Sequence, residues 1–159
     1  LDDCLSIYRA KAEQQNVELI SFLQPQVPRV ISGDPTRLRQ TLLSLLENAL
    51  KNTAEGEVLI VVALDERSRQ PRLRIAVQDS GVPMEPEERE ALLHAELHSK
   101  HFLSANRLGG NLGLVIARQL IRLMQGEFGI KSGATQGSTL WLTLPLDPDR
   151  LEHPTSDLD

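Results

Sequence analysis

Residues 40–53 read Gln-Thr-Leu-Leu-Ser-Leu-Leu-Glu-Asn-Ala-Leu-Lys-Asn-Thr. The spacing is that of a strongly apolar helix, and it carries Asn48 and Lys51 three residues apart on one line of its surface. An amide oxygen can hold a divalent cation and an ammonium can meet a phosphate as a point charge. Buried helices rarely place both on one line without a ligand to satisfy them. Alone, the stretch reads equally as an amphipathic core helix whose polar residues face water. Upstream, Gly33-Asp34-Pro35 is a helix start, with Asp34 as N-cap and Pro35 at the first helical position. Gly56 ends the segment.

The rest of the chain alternates around this helix. Leu1 to Gln15 has helical spacing and stops at Asn16. Val17–Leu23 reads as a strand, and Val30-Ile31 as a short second one beyond Pro25 and Pro28. Glu57–Asp65 and Arg72–Gln78 are rich in β-branched residues and flank a polar turn, which predicts a hairpin. Pro83, Pro86 and the acidic run Glu85–Glu90 open a short helix ending near His94. The acids read as a solvated helix start, since carboxylates suit a helix N-terminus. Residues 95–109 lack periodicity and read as a mobile loop. A long helix follows from Gly109-Gly110-Asn111 to Gln125, capped by Gly126. Glu127–Ser132 and Ser138–Leu144 form a last hairpin. Strands cluster and pair antiparallel, so the class is α+β: a two-layer α/β sandwich in which a mixed, mostly antiparallel sheet is covered by helices on one face. Residues 1–145 form one domain, and 146–159 read as an acidic linker.

Composition narrows the function. The 159 residues carry a net charge of -5, which argues against a nucleic-acid surface, because neutralising phosphates needs a basic face. The single cysteine, Cys4, cannot form an internal disulfide and suits a reducing compartment. No apolar run approaches the roughly 18 residues of a membrane span. The chain begins at Leu1 without a methionine, which reads as a piece of a longer protein.

Three segments converge on nucleotide chemistry. The first is the Asn48/Lys51 helix. The second is Asp79-Ser80-Gly81, an acid at the end of a buried strand, whose carboxylate could accept from an amino group such as that of adenine. The third is Gly109-Gly110-Asn111-Leu112-Gly113-Leu114, a glycine-rich loop opening a helix N-terminus that favours phosphate. In this order the three resemble the N, G1 and G2 boxes of the catalytic ATP-binding domain of sensor histidine kinases, the Bergerat fold shared with gyrase, Hsp90 and MutL. Gly137-Ser138-Thr139-Leu140-Trp141-Leu142 resembles the closing strand of that family.

The resemblance implies ATP and Mg as cofactors, with Asn48 as the magnesium ligand and Lys51 on the phosphates. Asp79 would read the adenine amino group, Gly81 would let the backbone approach the ring, and Thr139 would support the base through its hydroxyl. Gly110, Gly113 and Leu114 would belong to the phosphate loop, with residues 95–109 as the lid. It further implies a cytoplasmic domain of an inner-membrane hybrid sensor and a dimeric parent. The partner would be the helical dimerisation and histidine-phosphotransfer domain of the same protein, and a receiver domain would follow the linker. Within the family, the likeness is to pseudomonad hybrid sensors that act on a second sensor kinase of the GacS type. No phospho-acceptor histidine context occurs here.

The same boxes depart from the family pattern. Ser44 stands where the family carries a second asparagine, Asn52 replaces an aromatic that shields the nucleotide, and Pro83 replaces the second G1 glycine. No Phe-x-x-Phe pair precedes the lid. The loop reads Gly-Gly-Asn-Leu-Gly-Leu where Gly-Thr-Gly-Leu-Gly-Leu is the pattern. These departures carry an alternative reading: a regulatory module that has lost tight ATP binding. His94, His98 and His101 have helical spacing but no fixed fourth ligand, so a metal site among them is the weaker reading. A stand-alone ATPase is weaker still, because Ser44 leaves no glutamate to activate water.

Overall fold

The computed structural model describes residues 1–95 and 111–147. In chain order the elements are α1 (Asp2–Gln14), β1 (Val17–Leu23), α2 (Pro35–Asn52), β2 (Gly56–Asp65), β3 (Arg72–Asp79), α3 (Pro86–His94), α4 (Leu112–Leu123), β4 (Glu127–Ser132) and β5 (Ser138–Pro145). The five strands form one sheet in the order β1-β2-β3-β5-β4. Only β1 and β2 run parallel, because α2 crosses over between them; the other pairs are antiparallel. The α+β sandwich expected from the strand clustering is what forms.

Strand alternation explains the two layers. Val58, Ile60, Val62, Leu73, Ile75, Val77, Leu140, Leu142 and Leu144 point to one face and are buried. There they meet Leu42, Leu45, Leu46, Ala49 and Leu50 of α2 and Leu114, Val115 and Ile121 of α4 in one cluster. Helices α2 and α4 pack against each other, and Ala49 and Ala117 on them are essentially without exposure. The opposite face carries Ile20, Leu59, Val61 and Trp141, partly exposed, with the Arg74 guanidinium 5.7 Å from the centre of the Trp141 ring.

Local signals were read correctly at most helix ends. Asp34 caps α2 by accepting from the Arg37 N–H at 3.1 Å, and Asn16 stops α1 in the left-handed region at φ 55°. Two expectations are corrected. Val30-Ile31 contributes a single isolated bridge residue, Val30, since Pro28 and Gly33 leave too few residues for a ladder. Helix α4 ends at Leu123, and the left-handed cap residue is Gln125 (φ 62°), not Gly126. The Gly126 N–H reaches the Ile121 carbonyl at 2.8 Å and the Gln125 N–H that of Arg122 at 2.9 Å, a Schellman closure. Glycine is needed at 126 for a different reason: a Cβ there would lie 2.3 Å from the Thr143 carbonyl oxygen.

At the far end, Leu146 is 4% exposed and packs in the core. The packed body therefore continues one residue beyond Pro145, and Asp147 is the last described residue. Among the described residues no helix is long and apolar enough to cross a membrane.

Candidate functional site

The site lies where the C-terminal half of α2 meets the N-terminus of α4. Asn48 is 7% exposed, while Lys51, one turn on, is exposed. Both line a cavity of about 250 Å³ with Ser44, Glu47, Asn111, Gly113 and Leu114. The helix line read from the sequence thus brings Asn48 and Lys51 to one hollow, closed on the other side by the start of α4. Gly113 leaves that hollow open, since a Cβ there would approach nothing nearer than the Ser44 hydroxyl at 3.8 Å. Gly110 and the lid segment lie outside the described residues, as do His98 and His101. His94 is exposed and pairs with Glu90 at 3.2 Å.

The amides in this hollow are already bonded to one another. The Asn48 Nδ2 donates to Asn111 Oδ1 at 3.3 Å, and the Asn52 Nδ2 donates to Asn48 Oδ1 at 3.4 Å. Asn111 Nδ2 donates to the Glu88 carboxylate of α3. Asn111 occupies the N-cap position of α4 without capping it, because its amide is spent on Asn48 and Glu88. Glu88 therefore corrects the reading of the acidic run as a wholly solvated helix start. It is half-buried and bonded into the site, and no sequence pattern distinguishes it from its exposed neighbours Glu85, Glu87 and Glu90.

Asp79 forms the second part. It is 3% exposed at the end of β3, and its Oδ1 accepts from the Gly81 N–H at 3.0 Å. Burial pushes its carboxyl above the usual range, opposed by the N–H groups of Gly81 and Ser138. A buried acid of this kind gains from a further donor. Gly81 is placed for a packing reason: a Cβ would lie 2.0 Å from the carbonyl oxygen of Asn52 at the end of α2. The backbone around Asp79 also borders a hollow of about 620 Å³ on the sheet face away from the helices, with Glu18, Glu57, Leu59 and Gln78.

One expected site residue is misplaced by strand parity. Thr139 pairs with Gln78 and Lys131, on the face of the sheet away from the helices. Ser138 pairs with Asp79, is 4% exposed, and accepts from the Met84 N–H through its hydroxyl at 2.9 Å. The hydroxyl on the Asp79 side is Ser138. Counting alternation from a core-facing Leu140 would have found it, since Ser138 and Leu140 must share a face. Arg118 is 8% exposed and donates to the Ala95 carbonyl at 2.8 Å, pinning the end of α3 to α4.

Residues 33–148 match the family described as histidine kinase-, DNA gyrase B- and HSP90-like ATPase. The chain belongs to this family. The relatives it matches are sensor histidine kinases, of which it spans a small part. It is 39% identical to the sensor protein GacS of Pseudomonas syringae pv. syringae over 94% of its length, and spans 17% of that relative. It is 34% identical to the sensor histidine kinase AruS of Pseudomonas aeruginosa, over 92% of this chain and 15% of AruS. Among solved structures it resembles full-length ShkA in complex with AMPPNP, with a TM-score of 0.77 and 25% identity, covering 96% of this chain and 30% of ShkA. The nucleotide-free catalytic domain of the histidine kinase ThkA shares the fold at a TM-score of 0.70 and 20% identity, over 93% of this chain and 90% of that one.

Within this histidine kinase framework the described residues fit the cation and phosphate end of a nucleotide. Among the described residues Asn48 Oδ1 is held only by the long Asn52 contact, which a stronger ligand can replace, and Lys51 makes no ion pair. The hollow is smaller than the roughly 300–1,000 Å³ of whole-ligand pockets. It suits phosphates and a hydrated ion, not an entire nucleotide.

Proposed function

We propose that this domain holds ATP with a magnesium ion and presents the terminal phosphate to a histidine on a helical dimerisation and phosphotransfer domain of the same parent. The observation that carries this reading is the buried Asn48, which lines one hollow with Lys51 at the N-terminus of α4. Asn48 would hold the ion through Oδ1, with Lys51 and the first α4 amides, up to Gly113, on the phosphates; the Leu114 N–H already donates to the Asn111 carbonyl at 3.1 Å. Asp79, with Ser138 beside it, would accept from the adenine amino group. Gly81 would serve both the packing of α2 and the approach of the ring, and Gly110 would belong to the phosphate loop. The bound ion would neutralise charge developing on the transferred phosphoryl group. The protein's own part is orientation: Asn48 and Lys51 fix the phosphate end while Asp79 fixes the base, so the reacting phosphate has one direction to face.

A second reading rests on a specific observation: both polar atoms of Asn48 are bonded within the protein. On this reading the domain is a regulatory module that acts by contact with another sensor kinase of the GacS type. Either reading places it in a dimeric hybrid sensor, on the cytoplasmic side of an inner membrane, with residues 146–159 leading to a receiver domain.

Calorimetric titration of Mg-ADP and Mg-AMPPNP decides between them. Saturable binding with a dissociation constant below about 1 mM supports the enzyme reading, with Asn48→Ala abolishing the magnesium dependence. No heat at several times that concentration overturns it in favour of the regulatory module.

A further inference from the structure

We infer that Glu88 is a positioning residue that fixes which atom of Asn48 faces the metal position. The inference rests on the reading of Asn48 as a cation ligand.

An asparagine side chain has two nearly equivalent orientations, one presenting oxygen and the other an NH2 group. Only the oxygen can bind a cation, so a metal-binding asparagine needs something to choose between them. Here the choice is made by a directional chain of hydrogen bonds. An ionised carboxylate can only accept. Glu88 therefore requires the NH2 of Asn111, and the structure places it there. Asn111 must then turn its oxygen toward Asn48, which must answer with its own NH2, at 3.3 Å. The Asn48 oxygen is left on the opposite side, toward Asn52 at 3.4 Å.

The central link is buried and the outer two are part-buried. Asn48 and Asn111 are 7% and 6% exposed, so water competes poorly for their amides. The first link, to a charged acceptor, is the strong one, and it sets the polarity of the two weaker neutral links. Residues behind a ligand commonly orient it in this way in metal sites. The chain joins three elements, α3 through Glu88, the start of α4 through Asn111, and α2 through Asn48 and Asn52.

The network also links two of the departures noted in the sequence. Asn111 stands where the family pattern has a glycine, and Asn52 where it has an aromatic; both are bonded to Asn48. Asn111 carries the orienting signal from Glu88. Asn52 donates to the selected oxygen through the longest contact of the relay for which a cation would exchange, and so holds the orientation without a ligand.

The test uses the 159-residue chain with Glu88→Gln, Glu88→Asp and Asn111→Gly. The first readout needs no nucleotide: side-chain amide signals in nitrogen–proton correlation spectra, assigned with Asn48, Asn52 and Asn111 variants. Glu88→Gln is expected to move the Asn111 signals and also those of Asn48, one bond further along. Glu88→Asp, which keeps the acceptor-only charge, returns them toward wild type, and Asn111→Gly moves Asn48 as Glu88→Gln does. Asn48 signals that superimpose on wild type in Glu88→Gln would overturn the inference. The second readout is the ratio of ADP affinities with and without magnesium. Glu88→Gln is expected to reduce that ratio about tenfold while leaving metal-free affinity unchanged, a difference of about 1.4 kcal/mol. Equal losses with and without metal would show that Glu88 only shapes the pocket, and would also overturn the positioning role. If wild type binds neither form, the proposed function fails, while the spectra still decide the orienting role of Glu88.

Discussion

Replacing Gly81 by alanine separates two explanations for a glycine at the end of β3. The resemblance to histidine kinases assigns it to the approach of the adenine ring, whereas the fold places it against α2. An alanine Cβ would sit 2.0 Å from the Asn52 carbonyl oxygen and 2.6 Å from its carbon. Neither side can yield easily. Asn52 is the last residue of α2, and its carbonyl accepts the Val82 N–H at 3.2 Å. Gly81 is tied through its N–H to Asp79 at 3.0 Å and through its carbonyl to the Gly137 N–H at 2.8 Å. Overpacking of this kind costs about 1–3 kcal/mol, and loss of the Val82 bond about 1 more. The expected destabilisation is thus about 2–4 kcal/mol, a fall in melting temperature of roughly 6–12 °C for a domain of this size. Urea unfolding of the nucleotide-free chain measures it, with an unchanged m-value showing that stability alone has moved. Melting within about 2 °C of wild type would refute the packing explanation. Loss of nucleotide affinity at unchanged stability would return the glycine to the ring.

Three further outcomes follow from the same geometry. Because burial raises the Asp79 carboxyl, the folded state holds that proton more tightly than the unfolded state, whose pKa is about 3.9; wild type should lose stability relative to Asp79→Asn as pH rises from about 4 through the raised value, and parallel pH–stability curves for the two proteins would contradict this. Ser138→Ala should weaken ADP binding by about tenfold, roughly one hydrogen bond, while Thr139→Ala, on the opposite face, leaves it unchanged; equal effects would undo the strand-parity assignment. Leu45, fully buried on α2, should cost about 2–5 kcal/mol on truncation to alanine, read by the same unfolding assay, and a loss below about 1 kcal/mol would contradict its place at the centre of the core.

What was legible in the sequence had a local cause. The Asp34 cap is a side chain bonding three residues ahead, and the apolar line of α2 is a period of one helix, so both can be read without knowing what packs against them. Asn48 and Lys51 were found together for the same reason, since one helix places them. Thr139 was assigned by likeness to a box, without the parity count that puts Ser138 beside Asp79. Glycine tolerates the left-handed region, so the sequence points to Gly126 as the cap of α4, yet Gln125 takes that conformation and Gly126 answers a contact with β5.

The sequence by itself determined the order of helices and strands apart from Val30-Ile31, the resemblance to the family, and the helix line that carries Asn48 and Lys51, because each rests on periodicity or on residues adjacent in the chain. Only the tertiary structure decided what Asn48 touches. Asn111 lies 63 positions from Asn48 in the chain and Glu88 lies 23 before Asn111, and nothing in their local pattern marks them as partners. They meet because α2, α3 and α4 converge at one end of the sheet, and there a buried amide takes its direction from a carboxylate on another helix.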